Sequence, residues 1–149
     1  MNGRRNSGFS LVEVLVALVV MSVGMLGIAA LYLEGLRAGR TALYRTTAVT
    51  LAADMADRIR ANSTARTAYA GTGPGTDSDC INGASDCTAS QLADDDWFDW
   101  NNELAAQLPE GTVGEINVAG TGPATYTITV AWPEIGQDDP ATYTLSVRL

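Results

Sequence analysis

Residues 14–33 read VLVALVVMSVGMLGIAALYL, twenty consecutive uncharged residues between Glu13 and Glu34. As an α-helix rising about 1.5 Å per residue, this run spans roughly 30 Å, the thickness of the hydrocarbon core of a bilayer. A secretory signal peptide has a shorter apolar region, about 7–15 residues, followed by a small-x-small cleavage site. The first Ala-x-Ala after the run is at residues 68–70, so the sequence favours a retained membrane helix over a removed signal peptide.

The composition narrows the possible functions before any motif is considered. Hydrophobic residues make up 46% of the 149-residue chain and charged residues 17%, against about a quarter charged in soluble domains. The length fits one domain of ordinary size. Histidine is absent and there are two cysteines, which excludes His-based acid/base chemistry, Ser-His triads and His or four-Cys zinc sites. We expect no cofactor, no metal site and no enzymatic activity.

The formal charge of −8 is unevenly divided along the chain. Residues 1–66 carry eight arginines and four acidic residues, a net of +4, whereas residues 67–149 carry one arginine and thirteen acidic residues, a net of −12. Because an acidic C-terminal portion repels phosphate backbones, nucleic-acid binding is not expected.

The two cysteines bear on membrane orientation, which the arginines on both sides of the apolar run leave undecided. Cys80 and Cys87 lie in the polar stretch TDSDCINGASDC, residues 76–87. Two thiols closing a short loop suit an oxidising compartment, and two unpaired loop cysteines are the alternative. A Cys80–Cys87 disulfide would place the C-terminal part outside the cytoplasm and residues 1–8 inside it.

The most specific motif is Gly8-Phe9-Ser10-Leu11-Val12-Glu13, between the basic leader MNGRRNS and the apolar run. Placing a carboxylate at the edge of a membrane helix costs free energy, which makes Glu13 a candidate functional residue. The alternative is that Glu13 simply lies in the lipid headgroup region, which would be enough to explain a lone glutamate. Gly8 and Phe9 form a small-residue junction that a cytoplasmic-side peptidase could cut. Cleavage there would leave an α-amino group one helical turn, about 6 Å, from Glu13.

This segment resembles the class III signal of type IV pilins and of the related type II secretion pseudopilins, with Ser10 and Val12 where Thr and Ile are commoner. The resemblance implies that a prepilin peptidase cuts between Gly8 and Phe9, that Phe9 becomes the N-methylated terminus, and that Glu13 is needed for assembly. The membrane half is most similar to that of PilV-type minor pilins. The position of both cysteines upstream of the predicted sheet argues against the bulk filament subunit.

The helix is predicted to continue beyond the membrane run as an amphipathic segment. One apolar face is expected, with Asp54 and Arg58 as an i,i+4 ion pair on another face. The glycines at 24 and 27 indicate either close helix packing in lipid or a locally meltable stretch. The predicted apolar face consists of Leu36, Leu43, Thr47, Leu51, Met55 and Ile59.

The remaining sequence predicts a loop over residues 63–93, a short helix and three strands. Trp97, Trp100, Leu104 and Leu108 have helical spacing, and Pro109 ends that helix. The nearby Asp94, Asp95, Asp96 and Asp99 lack calcium-loop spacing and are interpreted as first-turn residues opposite the helix dipole. The predicted strands are Val113–Val118, with Gly114 as a bulge, Thr125–Trp132 and Thr142–Leu149.

The predicted fold is α+β and pilin-like: a long N-terminal helix, transmembrane in its N-terminal half, packed on a C-terminal antiparallel sheet of about three strands or more. We expect a leader peptide at 1–8, a transmembrane helix at 9–33, an amphipathic periplasmic half of that helix at 34–62, and a periplasmic globular domain at 63–149 that contains the αβ-loop and the sheet.

The resemblance implies a minor pilin, a non-catalytic subunit that primes or caps type IV pilus assembly, located in the bacterial inner membrane and in the pilus. The implied partners are other minor pilins, the major pilin, the prepilin peptidase and the inner-membrane assembly platform. A type II secretion pseudopilin fits the same N-terminus. A single-pass, membrane-anchored binding or adhesion domain is the alternative from another class, and it would keep residues 1–8.

Overall fold

The computed structural model describes residues 8–80, 86–120 and 122–149, so the basic leader MNGRRNS lies outside the described residues. The chain divides into an N-terminal unit, Met1–Arg40, and a C-terminal unit, Thr41–Leu149. The elements in chain order are helix α1 (Leu11–Ala61), a 3-10 helix η1 (Ser63–Tyr69), helix α2 (Ala89–Gln107) and strands β1 (Val113–Ala119), β2 (Thr125–Trp132) and β3 (Ala141–Arg148).

The N-terminal unit is the first part of α1. The helix begins at Leu11, where the backbone amides of Glu13 and Val14 donate to the Ser10 carbonyl at 3.0 and 3.3 Å. Glu13 lies in the first turn, where the positive end of the helix dipole favours a carboxylate. All side chains from Leu11 to Arg40 are exposed. One 18-residue window has a mean hydropathy of 2.7, so this helix is long and apolar enough to cross a membrane.

In the C-terminal unit, the rest of α1 shares one hydrophobic core with the sheet. Small residues form much of the buried face of α1, and they allow close approach of the helix to its neighbours. The apolar face predicted from the large residues was therefore wrong in its first half: Leu36 and Leu43 are exposed, while Leu51, Met55 and Ile59 are buried as predicted. The buried face consists of Ala48, Leu51, Ala52, Met55, Ala56 and Ile59.

The sheet has the order β1-β2-β3 with both pairs antiparallel, as the alternating strands predicted. The alternation in β2 is also confirmed, since Tyr126, Ile128, Val130 and Trp132 are all buried. The bulge predicted at Gly114 was wrong: Gly114 pairs with Val130 in an unbroken register. Gly114 occupies an inward-facing position of β1, and a β-carbon there would lie 2.2 Å from Cζ3 of Trp100. The glycine therefore makes room for an indole ring.

Helix α2 begins at Ala89, within the segment predicted as loop. Its N-cap is Thr88, which forms a capping box with Gln91. The prediction that the aspartates occupy the first turn was wrong, because Asp94, Asp95 and Asp96 lie one to two turns inside the helix. The predicted loop also contains η1 near its start.

The two tryptophans of α2, Trp97 and Trp100, belong to the core, as predicted. The rings of Trp97 and Trp100 meet edge to face, with centroids 5.3 Å apart. Each indole N–H reaches a backbone carbonyl: that of Trp97 donates to Tyr69 at 3.1 Å and that of Trp100 to Leu51 at 2.9 Å. Since buried indoles need such partners, these two bonds fix α2 against η1 and α1.

Candidate functional site

The predicted cleavage junction lies just before α1 and outside regular secondary structure. Gly8, Phe9 and Ser10 precede the helix, and all three are exposed. Phe9 exposes 83% of its surface, and a β-carbon at Gly8 would meet no atom within 4 Å. Exposed chain outside helices and strands is where peptidases act most readily, so the Gly8–Phe9 bond is accessible to one.

Glu13 lies one helical turn after this junction. Its side chain is exposed, and it forms no salt bridge with any residue in the described part of the chain. Removing an unpaired carboxylate from water is costly. Glu13 is therefore suited to pair with a cation supplied by another molecule once the helix enters an apolar environment.

The surface that follows Glu13 is almost entirely apolar. Ser22 carries a hydroxyl group within this apolar run, and the hydroxyl donates a hydrogen bond to the Leu18 carbonyl at 2.7 Å. A hydroxyl bonded within its own helix can enter lipid without an unsatisfied donor. The geometry supports anchoring of this helix in a membrane.

Cys80 and Cys87 are joined in a disulfide, with Cα atoms 5.8 Å apart. Cys87 directly precedes Thr88, the N-cap of α2. On the other side of the disulfide, residues 71–80 form a strap along α2: the amide of Thr76 donates to the Asp94 carbonyl at 3.1 Å, and the amide of Ser78 to Oδ1 of Asp95 at 2.7 Å. The disulfide ties the end of this strap to the start of the helix.

A charged cluster joins α1 to α2 through Arg58. Its Nε donates to Oδ2 of Asp54 at 2.7 Å and its Nη2 to Oε1 of Glu103 at 3.0 Å. Its Nη1 lies 3.7 Å from Asp96 and 3.8 Å from Asp99. The predicted Asp54–Arg58 pair is confirmed. The contacts of Arg58 with the acids of α2 were not predicted, although the spacing of Asp96, Asp99 and Glu103 places these three residues on one helical face.

The interior side of this cluster is built from buried polar groups. The Tyr69 hydroxyl donates to Oδ2 of Asp96, and Nδ2 of Asn62 donates to the Tyr69 hydroxyl at 3.2 Å and to the Ala89 carbonyl at 2.8 Å. Burial raises the pKa of the Asp96 carboxyl, although the Tyr69 hydrogen bond and the Arg58 charge oppose it. Burial raises the pKa of the Tyr69 hydroxyl, and the hydrogen bond to Asp96 raises it further.

Arg58 itself is stabilised as a cation. Burial opposes its charge, but the hydrogen bond to Asp54 and the charges of Asp54, Glu103 and Asp96 outweigh this effect and raise the pKa of the guanidinium. Among residues 8–80, 86–120 and 122–149, no three or more His, Cys, Asp or Glu side chains are grouped to hold a metal ion. Three acids of α2, Asp96, Asp99 and Glu103, lie within 4 Å of the Arg58 guanidinium.

Two family models match consecutive parts of the chain. Residues 3–29 match the prokaryotic N-terminal methylation motif, and residues 30–98 match the Tt1218-like family, described as type IV pilin Tt1218. Comparison with curated proteins found no match, and neither did comparison with solved structures. The two family matches together extend from the leader into α2, and the fold joins a long apolar N-terminal helix to a three-stranded antiparallel sheet. These matches and the fold support a type IV pilin.

Proposed function

We propose that this chain is a minor pilin, a non-catalytic subunit that primes or caps type IV pilus assembly. The observation that carries the proposal is the match of residues 3–29 to the N-terminal methylation motif, in front of an exposed helix that could span a membrane. The assignment to the minor class rests on the cysteines, which lie upstream of β1 rather than around a C-terminal segment, and on the similarity of the membrane half to PilV-type minor pilins.

In this proposal, residues 1–8 are a leader that a prepilin peptidase removes on the cytoplasmic side. The new N-terminus, Phe9, is then methylated. Residues 9–33 hold the subunit in the inner membrane, residues 34–62 continue the helix in the periplasm, and residues 63–149 complete a periplasmic domain. The Cys80–Cys87 disulfide supports this orientation, because such bonds persist in oxidising compartments.

Glu13 is the proposed assembly residue. When the helix leaves the lipid and bundles with others, its carboxylate loses contact with water and needs a cation. The positive N-terminus of a neighbouring subunit can supply that cation. The N-terminal amine of Phe9 and the Glu13 carboxylate lie at different positions along the helix axis. A contact between the amine of one subunit and the carboxylate of the next is therefore head-to-tail, and it propagates as an open helical assembly.

The partners in this proposal are other minor pilins, the major pilin, the prepilin peptidase and the inner-membrane assembly platform. The second candidate function is that of a type II secretion pseudopilin, which the same N-terminal motif supports. Deletion of the gene separates the two: loss of pili with intact protein secretion supports the minor pilin, and loss of secretion with intact pili supports the pseudopilin.

Mass spectrometry of the N-terminus tests the processing step directly. The protein extracted from membranes is expected to begin at N-methylated Phe9, and Gly8→Val is expected to leave the leader uncut because a branched side chain replaces the small residue at the junction. Gly3→Val is the matched control, with the same substitution inside the leader, and it should be processed normally. A wild-type protein that begins at Met1, or beyond Leu33, would contradict the proposal.

A further inference from the structure

The outer edge of strand β3 is an open edge of the sheet. β3 pairs with β2 on one side, and no residue in the described part of the chain pairs with its other side. The opposite edge strand, β1, is covered near its centre, where Gly71 and Ile116 exchange backbone hydrogen bonds of 2.9 and 2.8 Å. The two edges of the sheet are therefore not equivalent, and β3 is the one that another strand can reach.

The backbone groups on the open edge belong to the solvent-facing residues of β3. The amide of Leu149 donates to the Ala124 carbonyl at 2.9 Å, so these two opposed residues form a hydrogen-bonded pair. Such pairs alternate with non-hydrogen-bonded pairs along an antiparallel ladder. Every second residue back from Leu149 therefore bonds to β2, and the residues between them direct their N–H and C=O groups away from the sheet. These outward-directed residues are Thr142, Thr144, Ser146 and Arg148.

Strand β3 lacks the features that commonly protect an edge strand from pairing. Natural edge strands are protected by proline, lysine, a bulge or short length. The eight residues Ala141–Arg148 pair with β2 in an unbroken register, and their one charged side chain is Arg148 at the end of the strand. An edge of this kind can bind an extended segment through backbone hydrogen bonds.

The core-facing side of β3 is incompletely covered. Tyr143 and Leu145 pack against the hydrophobic core but are only partly buried, whereas their partners in β2, Val130 and Ile128, are fully buried. An added strand would place its own side chains about 4.5–5.5 Å from those of β3. Apolar side chains would then cover Tyr143 and Leu145, and polar ones would lie beside the exposed hydroxyl of Thr144. A segment that fits therefore alternates apolar and polar residues.

The charge near β3 indicates which chain can supply that segment. Glu134, Asp138 and Asp139 lie in the turn before β3, residues 133–140, which we call the acidic turn. The unit Thr41–Leu149 carries five arginines and fifteen acidic residues, a net charge of −10. Two copies of this unit repel each other, whereas a segment with lysine or arginine at one end is attracted to the acidic turn. The charge therefore favours a different protein over a second copy.

We propose that the open edge of β3 binds an extended segment of a different protein, which adds a fourth strand to the sheet. The segment alternates apolar and polar side chains and carries lysine or arginine at the end beside the acidic turn. The inference rests on the proposed function, because a subunit that primes or caps a filament contacts subunits unlike itself. It adds a contact through the globular domain to the helix contact at Glu13.

Amide hydrogen exchange of the full-length protein in detergent tests the contact, with the synthetic peptide TVTVTVTKK as the probe. In antiparallel pairing, the lysines of this peptide lie beside the acidic turn. At millimolar peptide, exchange at Thr142, Thr144 and Ser146 should slow about fivefold or more, while Tyr143 and Leu145, already bonded to β2, should not change. Unchanged exchange at the three outward amides would overturn the proposal. Slowing that depends on protein concentration without peptide would identify a second copy as the partner and would also overturn it.

Two modified peptides test the backbone and charge terms separately. Methylation of the threonine nitrogens removes the N–H groups that face β3 and should abolish the protection, whereas methylation of the valine nitrogens, which face away, is the matched control and should preserve it. Replacing both lysines with glutamates should weaken binding at least about twofold. Binding that survives threonine methylation, or that is insensitive to the charge exchange, would contradict the proposed strand addition or its preference for a basic segment.

Thr144→Pro tests the open edge in the assembled filament. Proline is tolerated where the strand N–H faces outward, so the variant should fold and be processed to a mature N-terminus, yet its amount in sheared filaments should fall about fivefold or more. Thr144→Ala keeps the N–H and should assemble normally. Equal assembly of the two variants would remove this contact and leave the proposed function standing, whereas an unprocessed wild-type N-terminus would count against the proposed function itself.

Discussion

Gly114 has a packing role that a larger residue cannot take over. A β-carbon at this position would come within 2.2 Å of Cζ3 and 2.6 Å of Cη2 of Trp100, whose indole N–H is already bonded to the Leu51 carbonyl. We expect Gly114→Ala to lower the free energy of unfolding by about 1–3 kcal/mol, the usual cost of overpacking. Denaturant unfolding of the full-length protein in detergent, followed by tryptophan fluorescence, measures this change.

Val113→Ala is the control for Gly114→Ala, because Val113 is the preceding residue of the same strand and is exposed. Its effect should be within about 0.5 kcal/mol, as for most surface substitutions. Equal effects of the two substitutions would contradict a specific steric contact between position 114 and Trp100.

The buried carboxyl of Asp96 makes the free energy of unfolding depend on pH, and its burial determines the sign of that dependence. Burial raises the pKa of this carboxyl above the ordinary 3.8, despite the opposing Tyr69 hydrogen bond and Arg58 charge. The folded protein therefore binds this proton more readily than the unfolded chain. As a result, the stability contributed by Asp96 increases as pH falls through the folded-state pKa and becomes constant below about 3.8.

Asp96→Asn removes this titration and keeps an oxygen that can accept the Tyr69 hydrogen bond. The free energy of unfolding of the wild type minus that of the variant is expected to increase as pH falls from 7 towards 4. Chemical unfolding of both full-length proteins across that range measures the difference. A difference that is constant, or that decreases on acidification, would contradict the effect of burial on Asp96.

Among the elements, the strap over residues 71–80 is the one that depends most on the disulfide. It contacts α2 through the amides of Thr76 and Ser78, and Gly75 lies so close that a β-carbon would be 2.3 Å from the Asp94 carbonyl oxygen. Replacing both cysteines with serine should lower the free energy of unfolding by about 2–3 kcal/mol, as expected for a short closed loop. Hydrogen exchange should also become faster at Thr76 and Ser78.

Reduction of the wild-type disulfide is the control for the double serine variant, because reduction removes the same covalent bond without changing the amino-acid sequence. The two measurements should agree. Unchanged exchange at Thr76 and Ser78 would mean that the contacts with α2 hold the strap without the disulfide.

Prediction from the sequence succeeded for elements whose pattern is local. The second strand alternates strictly over Thr125–Trp132, and Gly/Pro turns bound the strands, so the number, limits and pairing of the strands were predicted closely. Helix α2 was predicted too short, although Thr88 and Gln91 have the spacing of a capping box. The buried face of α1 was placed wrongly at its start because alanines form much of it, and their small side chains give a weak hydrophobic signal.

For the whole molecule, the N-terminal motif was sufficient to predict the family, while the contacts between distant segments were not predictable. The junction at Gly8 and Phe9, Glu13 and the apolar run are contiguous in sequence. Residues 3–29 match the prokaryotic N-terminal methylation motif as a whole. The contact of η1 with the sheet, in which the Tyr126 hydroxyl donates to the Arg66 carbonyl, joins residues sixty positions apart. Similarly, Arg58 meets Glu103 across 45 residues. No local period in the sequence encodes either contact.

Assembly of the whole molecule is expected to depend on the carboxylate of Glu13. Glu13→Ala leaves the junction unchanged, so the variant should be cut and methylated normally. In a bundle of helices it cannot pair with a neighbour's N-terminus, which then remains an unpaired buried cation at a cost of several kcal/mol. We expect its amount in sheared filaments to fall roughly tenfold or more, with loss of twitching motility.

Glu34→Ala is the matched control for Glu13→Ala. Glu34 is an exposed carboxylate on the same helix, 3.7 Å from Arg37 in an exposed ion pair, and such pairs contribute little. Because it lies at the opposite end of the apolar run from Phe9, its loss should leave incorporation and motility unchanged. If both variants assemble equally well, the proposed pairing of Glu13 is wrong; if only Glu13→Ala is excluded while its N-terminus is mature, the carboxylate acts at assembly and not at processing.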